Sequence, residues 1–327
     1  MPALAAFNDA QRDTAHRRLA ACVARMMGRK LEEGDWADVY CRAKGIPVRG
    51  WSNLNIDVMH EGLGVEHKML CYRSNTNIAQ ACGETLMHPA ATRSIRVPTG
   101  RVSATAAMRD ILDQYCALIE QRREKVRENA APDTEPDMRT GWLLWQESLR
   151  QFLYFEERMA TPNPDHFTAE WVESGGGARK GSRNLWIYER ATGKKRYSVT
   201  TAAGAKIQPY FDVPPPNDPH LYIFTVIGEV ITDGRVRCWI SRTTRDDLTQ
   251  LVGSASSDAV AAAIERTLAG LPPVESRPVV ADDPAEPLEI SASAYSLLTT
   301  RLPGANDEHC FQQLIRYLRQ IYPERRI

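Results

Sequence analysis

The sequence predicts an α/β protein in which a mixed central sheet is flanked by helices. A long amphipathic pattern over residues 103–129 predicts a helix, and two adjacent patterns over 51–60 and 63–72 predict paired strands. Short strand patterns between residues 184 and 241, separated by turns at Gly193, Gly204 and Gly234, predict further sheet. The 327 residues are enough for a sizeable core and about two domains.

Other segments predict the flanking elements. Apolar residues at helical spacing over residues 8–34 predict an N-terminal helix, and residues 75–87 predict another, capped by Ser74 or Asn75. Residues 92–97 predict a strand. The aromatic run over residues 141–159 is interpreted as a helix, because its large side chains recur at helical spacing. Two further helices are expected over 258–270 and 307–322.

Two polar segments predict the domain organisation. Residues 130–138 carry two prolines and separate an N-terminal unit, 1–130, from a central unit, 139–270. Residues 271–289 are rich in proline and acid, and are expected to form a linker. A C-terminal helical segment, 290–327, follows.

Composition excludes several classes of protein. The chain has 41 basic and 41 acidic residues, which argues against a general polyanion-coating protein. Its seven cysteines are scattered without CxxC spacing, so neither a disulfide framework nor a zinc knuckle is expected. Neither a long apolar run nor a signal-peptide core is present, which predicts a cytoplasmic protein without a membrane span. No phosphate-binding glycine motif occurs, so no nucleotide cofactor is expected.

Residues 55–70 carry the candidate chemistry. Alternation along a strand places Glu66 and Lys68 on one face, and pairing across a tight turn at Glu61-Gly62 would bring Asp57 close to Glu66. Adjacent buried carboxylates repel each other unless a cation is bound. Mg²⁺ prefers oxygen ligands and assists phosphodiester hydrolysis, while a lysine can hold the attacking water. The pattern therefore indicates a Mg²⁺-dependent site.

Asp57, followed nine residues later (66 − 57) by Glu66-His67-Lys68, resembles the motif of the PD-(D/E)xK nuclease superfamily, whose largest functional group is the restriction endonucleases. The resemblance covers roughly residues 30–125 and implies a restriction-endonuclease-like core. It implies that Asp57, Glu66 and the main-chain carbonyl of His67 bind Mg²⁺ and that Lys68 serves the nucleophilic water. The sequence departs from the family at Asn55-Ile56, where a proline often precedes the aspartate.

The family often adds an acidic residue from the helix before the first strand. The sequence leaves four candidates for this position: Glu32, Glu33, Asp35 and Asp38. Because an ExK triplet also occurs by chance, a surface hairpin with an exposed Glu-Lys pair is the alternative interpretation. The apolar residues Ile56, Val58 and Val65 beside the motif favour central strands instead.

A local excess of positive charge predicts DNA contact. Residues 175–207 contain eight basic residues and one acid, Glu189, for a balance of +7 (8 − 1). Basic side chains neutralise phosphates, and a solvated basic loop is the alternative. Arg93 and Arg96 are secondary candidates for phosphate contact. The predicted DNA-binding residues are Arg179, Lys180, Arg183, Lys194, Lys195, Arg196, Lys206, Arg93 and Arg96.

These observations together favour a Mg²⁺-dependent, site-specific endonuclease of double-stranded DNA, similar to type II restriction enzymes. Residues 1–130 would form the nuclease core, and 139–270 an α+β part that recognises DNA. A homodimer is expected, since two sites cut two strands. A repair, mobile-element or other defence nuclease is one alternative, and a non-catalytic DNA-binding protein is another.

Overall fold

The computed structural model describes residues 3–26, 30–47, 56–72, 77–89, 91–92, 95–98, 102–174, 182–200, 205–231, 234–268 and 284–321. Within these ranges the chain is a mixed α/β protein with three sheets. Its helices are α1 (Asp9–Ala24), α2 (Glu33–Lys44), α3 (Ala104–Arg127), α4 (Arg242–Val252), α5 (Ser257–Leu268), α6 (Ala292–Arg301) and α7 (Asp307–Ile321). None of these helices is both long and apolar enough to cross a membrane.

The first sheet carries the predicted motif. Its strands are ordered β1-β2-β4-β5-β10. They are β1 (Val58–His60), β2 (Leu63–Cys71), β4 (Asp137–Trp145), β5 (Gln151–Arg158) and β10 (Tyr222–Thr225). β1 pairs antiparallel with β2, as the tight turn predicted. β2 pairs parallel with β4, and α3 lies in the connection between them.

The turn between β1 and β2 fixes their register. Glu61 and Gly62 both have positive φ, 46° and 84°, as the two central residues of a type I′ turn require. Val58 consequently pairs with Val65, and His60 with Leu63. This two-residue connection is the one that the sequence predicted.

The two faces of the first sheet have different covers. On one face, Val65 packs with Leu19 of α1 and Trp36 of α2 in a buried cluster. On the other face, α3 reaches over β2 and the second sheet packs against β4, where the rings of Trp142 and Phe211 stack 3.8 Å apart. β2 is therefore a strand buried on both sides.

Two further sheets complete the described structure. The second sheet has the order β3-β9-β8-β7-β6 and the third has the order β11-β12-β13. The second comprises β3 (Thr85–Met87), β6 (Phe167–Ser174), β7 (Ser182–Glu189), β8 (Lys195–Thr200) and β9 (Lys206–Asp212). The third comprises β11 (Glu229–Val230), β12 (Arg235–Ile240) and β13 (Glu286–Ser291), and packs with α4 to α7 around a separate apolar cluster.

The helix predicted over residues 141–159 is wrong. This segment forms β4 and β5, joined by a turn in which Leu149 has a φ of 54°. Both faces of these strands are buried, so apolar residues run continuously and no polar alternation marks a strand. Such a run fits helical spacing by coincidence.

Two shorter predictions also fail. In the described part of 75–87, a 3₁₀ turn at Ile78–Ala81 is followed by β3, and Gly83, with a φ of 82°, separates the two. In the strand predicted over 92–97, Thr92 makes a single bridge to Ile207, residues 95–97 have no regular structure, and 93–94 lie outside the described residues. The helices predicted over 103–129, 258–270 and 307–322 are confirmed as α3, α5 and α7.

The first sheet crosses the boundary predicted at residues 130–138. β2 precedes this segment, β4 begins inside it at Asp137, and the two strands pair along nine positions, from Leu63↔Asp137 to Cys71↔Trp145. Residues 269–283 of the predicted linker region lie outside the described residues, and β13 begins at Glu286. The described part of 290–327 contains α6 and α7.

Gly141 allows the closest approach of side chains to the first sheet. A Cβ atom at this position would overlap the Tyr154 hydroxyl and lie 2.7 Å from His67 Nδ1. We therefore expect Gly141→Ala to lower the free energy of unfolding by about 1–3 kcal/mol, measured by urea denaturation. Gly34→Ala is the control, because its added Cβ meets no described atom within 4 Å beyond the backbone of its own helix and its chain neighbours, and it should stabilise α2 by up to about 0.5–1 kcal/mol. Equal midpoints for wild type and Gly141→Ala would contradict the packing described.

Candidate active site

The β1–β2 hairpin brings the two predicted carboxylates together. Since Val58 pairs with Val65, the preceding residue Asp57 lies opposite Glu66. Asp57 Oδ2 accepts a hydrogen bond of 2.6 Å from the main-chain N–H of His67, which fixes the carboxylate beside β2. The predicted approach of Asp57 to Glu66 is therefore present.

Glu66 is the centre of a buried ion-pair cluster. Its Oε1 lies 2.6 Å from Lys68 Nζ and 3.0 Å from Arg122 Nη2, which is carried by α3. The side chains of Glu66, Lys68 and Arg122 are only 7%, 12% and 22% exposed. This burial is incompatible with an exposed surface pair, the alternative that the sequence left open.

The cluster leaves one carboxylate oxygen without a partner. Glu66 Oε2 is buried and accepts no hydrogen bond from the described residues. Burial, and then the negative charge of Glu66, raise the pKa of Asp57 to about 7, although Lys68 and the His67 N–H act in the opposite direction. Two carboxyl groups thus share a site that does not satisfy both as anions, which is the condition that a bound cation relieves.

The available donors fit Mg²⁺. Among the described residues, no group of three or more His, Cys, Asp or Glu side chains is placed to hold a metal ion. The protein donors would be the carboxylates of Asp57 and Glu66, with the main chain of His67. Mg²⁺ commonly binds through one or two carboxylates and keeps waters or substrate phosphates as its other ligands. The unpartnered Glu66 Oε2 agrees with such a site.

The structure distinguishes among the four acidic candidates near α2. Glu33 interacts electrostatically with Lys68 and Glu66, and burial raises the pKa of its carboxyl group. The other candidates have different places: Glu32 is the N-cap of α2, Asp35 accepts a hydrogen bond from the main-chain N–H of Glu32, and Asp38 pairs with Arg42. Glu33 is therefore the acidic residue that this helix directs towards the cluster.

His67 faces away from the carboxylates. Its ring is fully buried against Trp36 and Tyr154, and burial lowers its pKa to about 3, so the imidazole is neutral. Its Nδ1 lies 3.5 Å from the Tyr154 hydroxyl, which donates to Glu156, and Glu156 in turn pairs with Arg139. His67 can thus serve the site only through its main chain, while its ring anchors β2 in the core.

A cavity of about 490 Å³ opens from the cluster into the space between the first and second sheets. Glu66, Lys68 and Arg122 lie in its wall, as do Trp142 and Glu157 of the neighbouring strands. Trp142 Nε1 donates to Glu157 at 2.8 Å, and burial raises the pKa of that carboxyl group. The far wall is formed by side chains of the second sheet, among them Glu189, Arg196, Tyr197 and Asp212.

Six of the nine predicted DNA-binding residues are described, and they lie in the second sheet and its surroundings. Arg179, Lys180 and Arg93 lie outside the described residues. Arg183 stacks on Trp171, Lys195 lies 3.3 Å from the ring centre of Trp186, Lys206 begins β9, and Arg96 lies in the segment before α3.

Two members of this set have acidic partners. Lys194 and Arg196 both pair with Asp212, and Arg196 also pairs with Glu189. Asp212 lies just beyond the segment in which the sequence showed a positive excess. Pairing with these carboxylates offsets part of that excess.

The sequence did not predict Arg122 and Glu157 as part of the site. A signal for Arg122 existed, because residues 115, 119, 122 and 126 share one face of α3 and Arg122 is the charged member of that face. A cation at a core-facing helical position needs a buried partner. Glu157 gave no such signal, because its segment was predicted as a helix.

Comparison of the chain with protein-family models, with curated proteins and with solved structures found no match. The interpretation of the site therefore depends on its own residues.

The raised pKa of Asp57 predicts how stability responds to pH. Since the folded protein holds this proton to about pH 7 and an unfolded aspartate releases it near 3.8, stability falls as pH rises between these values. In EDTA, wild type should lose stability between pH 4 and pH 8 through this group, and Asp57→Asn should not. The change in the free energy of unfolding from pH 4 to pH 8 should therefore be more favourable in Asp57→Asn than in wild type by at least about 1.4 kcal/mol, the equivalent of one pKa unit. Asp38→Asn, at an exposed ion pair, is the control. Parallel pH profiles for Asp57→Asn and wild type would contradict the assignment.

Proposed function

We propose that the chain is a magnesium-dependent endodeoxyribonuclease, with Asp57, Glu66 and Lys68 as its catalytic residues. The observation that carries the proposal is the buried meeting of Asp57 and Glu66 beside two cations, where Glu66 Oε2 has no donor among the described residues. The resemblance of the Asp57 and Glu66-His67-Lys68 pattern to PD-(D/E)xK nucleases supports the same conclusion. So does the mixed sheet, which has helices on both faces.

Each side chain has a role in hydrolysis. Asp57 and Glu66 would hold Mg²⁺, and the negative charge of Glu33, which acts on both carboxylates, would add to the attraction for the cation. When bound, the ion neutralises charge on the phosphate and lowers the pKa of a water molecule. Lys68, which Glu66 holds in place, can orient the attacking water through its remaining N–H groups.

Arg122 supplies a second positive charge beside Lys68. Its guanidinium contacts Glu66 Oε1 through one nitrogen and lines the cavity, so its other N–H groups can donate to a phosphate oxygen. During hydrolysis the water oxygen bonds to phosphorus, the phosphorus–oxygen ester bond breaks, and the water's proton passes to the leaving oxygen. Negative charge grows on the phosphoryl group, and fixed cations stabilise that charge.

Within this class, we propose a site-specific enzyme similar to type II restriction endonucleases. It is supported by the family resemblance and by the basic residues of the second sheet, which adjoins the cavity. Cleavage of both strands would then use two copies of the chain. A repair, mobile-element or other defence nuclease would use the same residues with a different substrate.

Cleavage of unmethylated plasmid DNA in Mg²⁺ tests the proposed activity. We expect EDTA to abolish it and Lys68→Ala to reduce the rate about 10²–10³-fold, as when an oriented donor is lost from an active site. Lys125→Ala, at an exposed position on α3, should cleave like wild type. Discrete fragments would support site specificity, and a smear would support a nuclease without it. DNA binding without any cleavage would favour the non-catalytic alternative.

The Arg122 assignment is tested against its neighbour on α3. Arg122→Ala should lower kcat about 100-fold, because a cation facing the phosphate is lost. Arg123→Ala removes only an exposed pair with Glu120 and should leave kcat unchanged. Thermal unfolding shows whether each variant remains folded. An unchanged kcat in folded Arg122→Ala would overturn this role.

A further inference from the structure

The catalytic cluster lies in the wall of a partly open cavity between the first and second sheets. The side chains of Glu66 and Lys68 are only 7% and 12% exposed. The space beside them, about 490 Å³, falls within the range of small-molecule pockets, roughly 300–1,000 Å³. A scissile phosphate must therefore enter this cavity to meet Lys68 and Arg122.

An intact duplex is too large for such a space. In a stacked and paired duplex, each nucleotide is held between its neighbours, and phosphodiester groups cannot enter a small cavity independently of them. A nucleotide that has left the stack can enter, either because its strand is already single or because it has been extruded. The burial of the site thus selects for an unpaired nucleotide at the scissile phosphate.

The cavity walls have the chemistry that a nucleobase needs. Tyr115, Tyr197 and Tyr210 supply aromatic surface, which binds bases with little regard to sequence. Glu157 and Asn163 supply polar groups that can bond to the edge of a base. The cationic pair Lys68 and Arg122 lies at the catalytic end, where a phosphate would lie.

We propose that the preferred substrate is DNA with an unpaired nucleotide at the scissile phosphate, and that this nucleotide occupies the cavity between the two sheets. This inference rests on the proposed nuclease function and defines its substrate class. Extrusion costs least for bases that are mismatched, damaged or single-stranded. Cleavage should therefore be faster where pairing is already lost.

One labelled strand, presented in four forms, tests the substrate class. The forms are the free strand, a matched duplex, a duplex with one mismatch and a duplex with one bulged nucleotide. We expect cleavage beside the unpaired position to be at least about tenfold faster than in the matched duplex. Equal or faster cleavage of the matched duplex would overturn the inference and leave the nuclease function intact. No cleavage of any form in Mg²⁺ would instead contradict the nuclease function.

Binding in EDTA tests the cavity independently of catalysis. The bulged nucleotide is replaced by the fluorescent base 2-aminopurine, whose emission changes when it leaves the DNA stack and contacts aromatic side chains. Wild type should change the emission, and Ala160→Trp and Thr192→Trp, which fill the cavity from exposed positions, should each weaken this binding at least about tenfold. Ala10→Trp, exposed on α1, is the matched control.

Two outcomes of the binding experiment decide the question. Loss of binding in either cavity variant, with thermal unfolding and the Ala10→Trp control unchanged, supports the proposed occupant. Retained binding and an unchanged emission signal in both folded cavity variants would overturn it. Because this readout needs neither metal nor turnover, it remains decisive even if no form of the DNA is cleaved.

Discussion

The side chain of Glu66 is buried, with two cations on one carboxylate oxygen and, in the described part of the chain, no donor to the other. An ionised group in such a position is expensive to bury, and only its partners make the arrangement tolerable. Lys68 arrives from the same strand, Arg122 from α3, and Asp57 from the neighbouring strand. The β1–β2 hairpin and α3 are therefore placed so that their charged side chains meet around Glu66.

Packing on the opposite face of β2 holds the charged cluster in place. His67 lies between the two charged residues in sequence, but its ring is enclosed among aromatic side chains on the other face. Its main-chain N–H holds Asp57, so packing on one face positions a carboxylate on the other. Gly141 makes room for this packing, since a larger residue would meet both the His67 ring and the Tyr154 hydroxyl. Such support limits the freedom of the two carboxylates.

The parts of the site that local sequence encodes were predictable. The two-residue turn and the strand alternation around it were enough to place Asp57 opposite Glu66 and to put Lys68 on the same face. Glu33 could be chosen from four acidic residues only when the orientation of α2 was known. The strands β4 and β5 were mistaken for a helix, because burial on both faces removes the polar alternation that identifies strands. The cavity depends on how two sheets pack, which no local pattern reports.

The parallel pairing of β2 with β4 has a consequence for how the protein acquires its site. Val58 and Val65 are seven residues apart (65 − 58), whereas Glu66 and its partner Thr140 are separated by 74 (140 − 66). Contacts between distant parts of a chain form more slowly than those within a hairpin. We therefore expect the two carboxylates to meet early in folding, and Arg122 and the second sheet to join them with the long crossover. The complete cluster is then a late product of folding, and a fragment ending before β4 would retain the motif without the full cluster.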